Sequence, residues 1–158
     1  MGVIDGRTWL EHLSPARCWE LLQAAPMGRV GVLNDSAPEI YPVNHVVDRH
    51  TILFRTDPGI KLRSLLRSPA VCFEVDGIDP ADSTGWSVLV KGRAEELRDP
   101  DELRAAAELS LRYWALGDKV HWIRVVPAEV TGRRIWSEAP RSSGGEAEVP
   151  DDAAPDGP

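Results

Sequence analysis

The sequence predicts a mainly β domain, a closed antiparallel barrel with helices inserted between its strands. Three observations predict it. About six short runs rich in β-branched and aromatic residues are separated by turn signals, short hairpin connections join several of them, and three segments with helical spacing interrupt the series. The chain has 158 residues, enough for one domain with a substantial core but too few for two comfortable ones.

The first half of the chain predicts one helix followed by three strands. Ser14 and Pro15 begin the helix, because a hydroxyl side chain caps it and proline suits its first position. Apolar residues at helical spacing continue it to about Ala25. The strands are predicted over residues 29–33, 39–47 and 51–56, with turns at 34–36 and 48–50 between them.

The second half predicts two more helices and three more β segments. A Pro-Gly turn at residues 57–59 precedes a short helix, and Asp99, Pro100 and Glu102 form a capping box that begins a longer one reaching about Ala115. The helices and β segments are predicted, in order, as helix 60–67, strand 71–75, acidic loop 76–85, strand 86–97, the capped helix, and a β segment over 121–135 broken near Pro127.

The last part of the chain differs in composition from the rest. Residues 137–158 contain six acidic residues and one base, so they hold −5 of the formal net charge of −7. They are rich in Gly, Pro and Ser and have almost no bulky apolar residues, which is typical of disorder. We therefore expect a folded barrel domain over residues 1–136 and a disordered acidic tail over residues 137–158.

Composition also excludes several classes of function. A net charge of −7 disfavours nucleic acid as the main partner, because phosphate backbones are bound by an excess of Lys and Arg. No apolar run is long enough to span a membrane and no signal-peptide pattern is present, so we expect a cytoplasmic protein without membrane contact. Cys18 and Cys72 are expected as buried free thiols, and no close-spaced histidine pair suggests a metal site.

One stretch predicts a phosphate-binding site. A strand ends at Arg55 and Thr56, a Pro-Gly turn follows, and Lys61 comes one turn into the next helix. A guanidinium, a hydroxyl, backbone N–H groups and an ammonium would then lie near one helix N-terminus, which itself favours an anion. The alternative interpretation is an ordinary strand-turn-helix whose basic side chains are simply solvated.

Five segments in order resemble one known family. They are PVN within a strand, FRT-x-x-G-x-K-L, FEVD, GWSVLVKGRAEE and HWIRVVPAEVTGRRI. Together they cover about residues 14–135 and resemble the pyridoxamine 5′-phosphate oxidase-like, FMN-binding split-barrel proteins of the actinobacterial type. The resemblance implies a six-stranded antiparallel Greek-key split barrel that forms a homodimer, with FMN bound at each end of the dimer interface.

The resemblance also assigns cofactor-binding residues. Arg55, Thr56 and Lys61 match the positions that hold the FMN phosphate. The strand along the isoalloxazine ring is matched by Pro42, Val43 and Asn44. A second flavin-facing strand, often from the other subunit, is matched by Trp86, Ser87 and Val88. Arg133 lies near the position of a ring-contacting residue. Trp86 is equally well explained as a core or interface aromatic.

The implied function is that of an FMN-dependent oxidoreductase acting on an unidentified small molecule. Authentic pyridoxamine phosphate oxidases have a longer C-terminal segment with Arg and His that holds the substrate phosphate, and this chain has an acidic tail there, so vitamin B6 oxidation is not expected. No catalytic residue is assigned. The alternatives are a non-catalytic flavin-binding or flavin-sensing module, or a deazaflavin- or haem-binding member, with His45 or His121 as the axial ligand of the haem.

Overall fold

The computed structural model describes residues 4–5, 10–111 and 119–136. Eight strands and three helices occur within these residues. In chain order they are β1 (Ile4–Asp5), β2 (Leu10–His12), α1 (Pro15–Ala24), β3 (Met27–Asn34), β4 (Ala37–Asp48), β5 (Thr51–Thr56), α2 (Ile60–Arg67), β6 (Ala70–Asp79), β7 (Thr84–Glu96), α3 (Pro100–Ala107) and β8 (His121–Ile135).

Six of these strands close into a barrel. The order around the ring is β8-β5-β4-β3-β6-β7, and β7 pairs back with β8 to complete it. All of these pairs are antiparallel. After the meander β3-β4-β5, strand β6 returns to lie beside β3, which is the connection of a Greek key. The predicted six-stranded antiparallel Greek-key barrel is therefore confirmed.

The barrel is split between β4 and β5. These strands pair only over His45–Asp48 and Thr51–Phe54. The earlier part of β4 pairs with β3 alone, while Arg55 and Thr56 of β5 pair with β8. The two strands therefore part just where the sequence places its candidate binding residues, and α2 begins directly beyond that point.

The barrel interior holds the main hydrophobic core. Inward-facing residues of every ring strand are buried, and those of five strands fully so, among them Val30, Phe54, Phe73, Val88 and Ile123. Both α1 and α2 contribute to the same core, through Cys18, Leu21 and Leu22 in α1 and Leu62 and Leu65 in α2. Close packing of α1 needs a glycine on β8, because a Cβ on Gly132 would lie 2.5 Å from the Cys18 sulfur.

Helix α3 covers part of the outer surface. It packs through Ala106 onto a second cluster with Leu53, Leu97 and Trp122, which lie on the outer face of β5 and β8 and just beyond β7. The rest of the outer sheet, on β3, β4, β6 and β7, has no helix over it among the residues that the structure describes. Among the described residues, α3 therefore covers the outer face of β5 and β8, whereas the outer face of β3, β4, β6 and β7 is exposed.

The structure corrects several sequence predictions. Cys18 is a buried free thiol as expected, but Cys72 is exposed, because it lies on the outer face of β6 opposite Gly31. The acidic loop predicted over residues 76–85 is mostly strand, because β6 and β7 pair from Asp79↔Thr84 onward as a long hairpin. The last β segment does not break at Pro127, since a bulge opposite Lys91 and Gly92 absorbs one extra residue and β8 continues. Helix α3 ends at Ala107, and the remainder of its predicted span lies partly outside the described residues.

Two predictions concern membrane contact and metal binding. Within the part of the chain that the structure describes, no helix is both long and apolar enough to cross a membrane. The same residues contain no group of three or more His, Cys, Asp or Glu side chains placed to hold a metal ion. The acidic tail predicted over residues 137–158 lies outside the described residues.

Candidate functional site

The split between β4 and β5 presents one polar outer face. Pro42 is exposed there, and Asn44 follows two residues along the same face, held by its side-chain amide, which donates to the Pro26 carbonyl at 3.1 Å. Val43 has the opposite orientation and lies in the barrel core. Of the three residues predicted to line a flavin ring, Pro42 is exposed, whereas Asn44 is 8% exposed and Val43 is buried in the core.

Arg55 and Thr56 lie across the split on consecutive positions of β5, so their side chains point to opposite faces. The Arg55 guanidinium lies 5.3 Å from the centre of the Trp122 ring on the outer face, a cation–π contact. Thr56 continues the inward row of Ile52 and Phe54 and is 2% exposed. Arg55 therefore belongs with Asn44 on the outer face, and Thr56 belongs at the rim of the core.

The N-terminus of α2 differs from those of the other two helices. Ser14 caps α1 by accepting from the Arg17 N–H, and Asp99 caps α3 by accepting from two backbone N–H groups. Gly59 caps α2 with extended backbone and no side-chain hydrogen bond, and the first turn has no acidic residue. A Cβ on Gly59 would meet nothing within 4 Å, so this helix N-terminus is open to an approaching anion.

Lys61 lies in that first turn, beside β4. Its ammonium is 5.6 Å from the centre of the Tyr41 ring, and no ion pair among the described residues includes it. Burial lowers the pKa of Lys61, the positive charge of Lys119 lowers it further, and Asp57 opposes both. A half-buried cation next to a second cation favours an anion at this position.

The remaining predicted residues form a second group elsewhere on the barrel. Ser87 of β7 lies opposite Arg133 of β8, with Trp86 and Val88 on either side of it. Trp86 and Ser87 are half-buried, Arg133 is exposed, and Val88 is fully buried in the core. Along β8, Arg133 lies twelve positions from His121, the residue opposite Thr56, so the two lie near opposite ends of that strand.

The two histidines considered as haem ligands are both engaged. His45 is buried, its Nε2 donates to the Leu22 carbonyl at 2.8 Å, and its ring packs edge-on against Phe73 at 4.9 Å between centroids. Burial lowers the pKa of His45, so the neutral ring is favoured. His121 donates from Nδ1 to Glu96 at 2.6 Å. Binding haem through His45 would require breaking a hydrogen bond inside the core.

Sequence reasoning missed three residues that shape this region. Trp122 supports Arg55, Tyr41 lies under Lys61, and Glu96 holds His121. The alternation of side chains along β4, β7 and β8 predicts on which face of the sheet each of these residues lies. Only the cross-strand register shows which neighbours they contact. The registers Arg55↔Trp122 and Thr56↔His121 are the missing information.

Several proteins similar to this chain are described as pyridoxamine 5′-phosphate oxidases or as FAD-binding proteins. A family model described as pyridoxamine 5′-phosphate oxidase matches residues 14–134. A candidate pyridoxamine 5′-phosphate oxidase from Corynebacterium glutamicum, of known structure, is 37% identical, with a TM-score of 0.72 over 80% of this chain and 98% of that one.

Two further solved structures are described as FAD-binding proteins. The one from Mycobacterium smegmatis is 38% identical, with a TM-score of 0.67 over 79% of this chain and 98% of that chain. The one from Mesorhizobium loti is 25% identical, with a TM-score of 0.69 over 79% of this chain and 97% of that chain. The fold is thus found in proteins described as FAD-binding.

Proposed function

The chain belongs to the pyridoxamine 5′-phosphate oxidase family, and we propose that it is a flavoprotein that binds FMN at the split between β4 and β5. The observation that carries the proposal is the open N-terminus of α2, with Lys61 in its first turn and Thr56 just before it. Within this site, Lys61 and the backbone N–H groups of α2 hold the phosphate, with the Thr56 hydroxyl beside them.

The residues around the start of α2 are better suited to binding a phosphate than to facing solvent alone. Lys61 is half-buried, carries a lowered pKa because of burial and Lys119, and belongs to none of the ion pairs among the described residues. A phosphate would offset that burial cost, since it supplies the counter-charge within hydrogen-bond reach. On the outer face, Pro42 and Arg55 offer a rigid strand edge and a guanidinium to the polar edge of a planar ring.

The activity we propose is that of an oxidoreductase. The flavin, when bound, supplies hydride or electron transfer, and the protein contributes binding, orientation and electrostatics. Arg55, kept in place by the Trp122 ring, is the cation on the ring side of the site and would stabilise negative charge on a reduced flavin. The substrate we propose is a small molecule that reacts with the flavin ring.

FAD is the second candidate cofactor. Two similar structures are described as FAD-binding proteins, and FAD shares with FMN the first phosphate and the ring. A deazaflavin would use the same phosphate position and further bases for its acidic tail. The non-catalytic alternative, a protein that stores or senses a flavin, needs the same binding residues and differs only in turnover.

The absorption spectrum of the purified protein separates these candidates. We expect bands of an oxidised flavin that a reduced nicotinamide bleaches, and FMN as the molecule released on denaturation. Release of FAD would replace FMN by the second candidate. A protein that is colourless and binds neither FMN nor FAD when they are added would refute the proposal, and bands that no reduced nicotinamide bleaches would favour the non-catalytic module.

We also propose that the protein works as a homodimer. The outer face of β3, β4, β6 and β7 forms a shallow apolar depression of about 700 Å³, and large apolar side chains there are exposed, Ile40 by 69% and Leu33 by 42%. A face of this kind is typical of an interface. In a dimer, Trp86, Ser87, Val88 and Arg133 would reach the cofactor from the other subunit.

Light scattering after size exclusion tests the dimer. The wild-type chain, with a protomer mass of 17.4 kDa, should elute at twice that mass. Ile40→Lys should shift the mass towards the monomer and weaken flavin binding, whereas Ile78→Lys, an equally exposed apolar residue near the end of β6 and outside the depression, should do neither. A wild-type monomer that binds flavin fully would contradict the dimer and leave the flavin site standing.

A further inference from the structure

The inward-facing rows of two strands end in polar residues beside the proposed phosphate site. On β5 the row of Ile52 and Phe54 ends at Thr56, and on β8 the row of Ile123 and Val125 begins after His121. Thr56 and His121 are directly opposite each other in the register, so their side chains share one face at the rim of the core. The imidazole therefore lies next to the hydroxyl that precedes α2.

Glu96 fixes the orientation of that imidazole. One carboxylate oxygen accepts from His121 Nδ1 at 2.6 Å, and the other accepts from Arg98 Nε and Nη2 at 3.0 and 2.9 Å. The backbone is held as well, because the Leu97 N–H donates to the Trp122 carbonyl at 2.9 Å. With Nδ1 committed to Glu96, Nε2 is the nitrogen that can meet a ligand, and 30% of the imidazole side chain remains exposed.

The charges around this pair favour an anion. Lys119 precedes His121 by two residues and Asp57 follows Thr56, and both act on the Lys61 ammonium. The hydrogen bond from His121 lowers the pKa of Glu96, so the carboxylate is ionised. The His121 imidazole and the Thr56 side chain thus lie at the strand end that precedes α2, and Lys119 lies close enough to Lys61 to act on its ammonium.

We propose that His121, positioned by Glu96, is a further ligand of the flavin phosphate and makes the site select phosphorylated flavins over riboflavin. The inference rests on the proposed flavin site and adds to it a recognition residue from β8. Nε2–H donates to a phosphate oxygen, while Nδ1–H donates to Glu96. Glu96 acts on the phosphate only through His121 and is a positioning residue.

Binding of two flavins tests the proposal. FMN and riboflavin share the ring and ribityl chain and differ in the phosphate, so quenching of flavin fluorescence gives both dissociation constants for the full chain. His121→Gln should weaken FMN binding about tenfold, the loss of one charge-assisted hydrogen bond, and should change riboflavin binding less than twofold. Glu96→Gln should reduce the preference for FMN by a smaller factor, because its amide oxygen still accepts from Nδ1 without the charge.

Each outcome decides a different question. Equal weakening of FMN and riboflavin in His121→Gln, or no weakening, would overturn the proposal by making His121 structural or irrelevant. If His121→Gln does not fold, an unchanged ratio of the two constants in Glu96→Gln would overturn it instead. His50→Gln, at an exposed histidine on the β4–β5 turn, should leave both constants unchanged. Failure of the wild-type chain to bind any flavin would refute the flavin site itself.

Discussion

The helices α1 and α2 both pack against the barrel core, yet they differ in how the backbone groups at their termini are hydrogen-bonded. Helix α1 is closed at both: the Ser14 side chain caps its start, and near its end the Leu22 carbonyl accepts from the buried His45. Helix α2 begins at Gly59 without a side-chain cap and carries a half-buried lysine in its first turn. Each contributes leucines to the same core.

This difference separates a structural element from a binding element. Where protein groups satisfy the backbone at a helix terminus, no ligand is needed there. Where the first N–H groups face open space and a cation stands beside them, the arrangement is complete only with an anion. We therefore expect changes in α1 to alter stability without altering flavin affinity, and changes at the start of α2 to do the reverse.

The largest expected effect is on the stability of the fold. Leu22 in α1 is fully buried, so Leu22→Ala should lower the free energy of unfolding by about 3 kcal/mol, through lost burial and a residual cavity. Leu66→Ala, at a leucine of α2 that is 47% exposed, should cost well under half as much. Denaturant unfolding measures both. If folded Leu22→Ala bound flavin tenfold more weakly than the wild type, α1 would also contribute to binding, and the distinction between the two helices would fail.

The next effect is on cofactor affinity. Lys61→Ala should weaken FMN binding by about 1.5–3 kcal/mol, roughly 10- to 150-fold, because a charge-assisted contact to the phosphate is lost. Arg63→Ala is the matched control, since Arg63 is a base of the same helix with an exposed side chain. Fluorescence titration should show no change for Arg63→Ala. Equal affinities for both variants would remove Lys61 from the site.

A smaller effect concerns the pH dependence of stability. Burial lowers the pKa of His45, so below about pH 6.5 the unfolded chain takes up a proton there that the folded chain does not. Stability should fall as the pH drops from 6.5 towards 5, by at most about 1.4 kcal/mol per pH unit from this group. In His45→Gln, which keeps a donor for Leu22, denaturant unfolding should show a flatter curve across this window. An identical slope in both proteins would mean that the ring is not buried as a neutral base.

The smallest effect is at the β4–β5 turn, which α1 contacts. Arg49 and His50 both have positive φ, at 45° and 60°, in a two-residue hairpin, and the His50 ring packs at 4.9 Å from Trp19 of α1. Arg49→Gly should relieve strain and raise the free energy of unfolding by about 0.5–1 kcal/mol, a rise of a few degrees in Tm. Arg49→Lys should change nothing. If Arg49→Gly changed flavin affinity, the turn would belong to the site.

The sequence allowed the fold to be predicted further than the site. Alternation, the Ser14-Pro15 and Asp99-Pro100 caps and the turn at Asp48–Thr51 were local signals, and the elements that they predicted are present. The bulge opposite Gly92 and the long β6–β7 hairpin depend on cross-strand register, which a single sequence does not contain. For the same reason, the sequence placed Arg55 and Thr56 together, whereas their side chains face opposite sides of β5.

The central claim is that a phosphate-bearing flavin binds where α2 begins, and amide chemical-shift mapping tests it most directly. Titration of the ¹⁵N-labelled protein with FMN should move the amide signals of Thr56, Gly59, Ile60 and Lys61 most strongly, while those of Leu21 and Leu22 in α1 remain in place. Riboflavin should leave the signals at the start of α2 nearly unshifted. Strong FMN-dependent shifts confined to α1, or spread evenly over the barrel, would contradict the account.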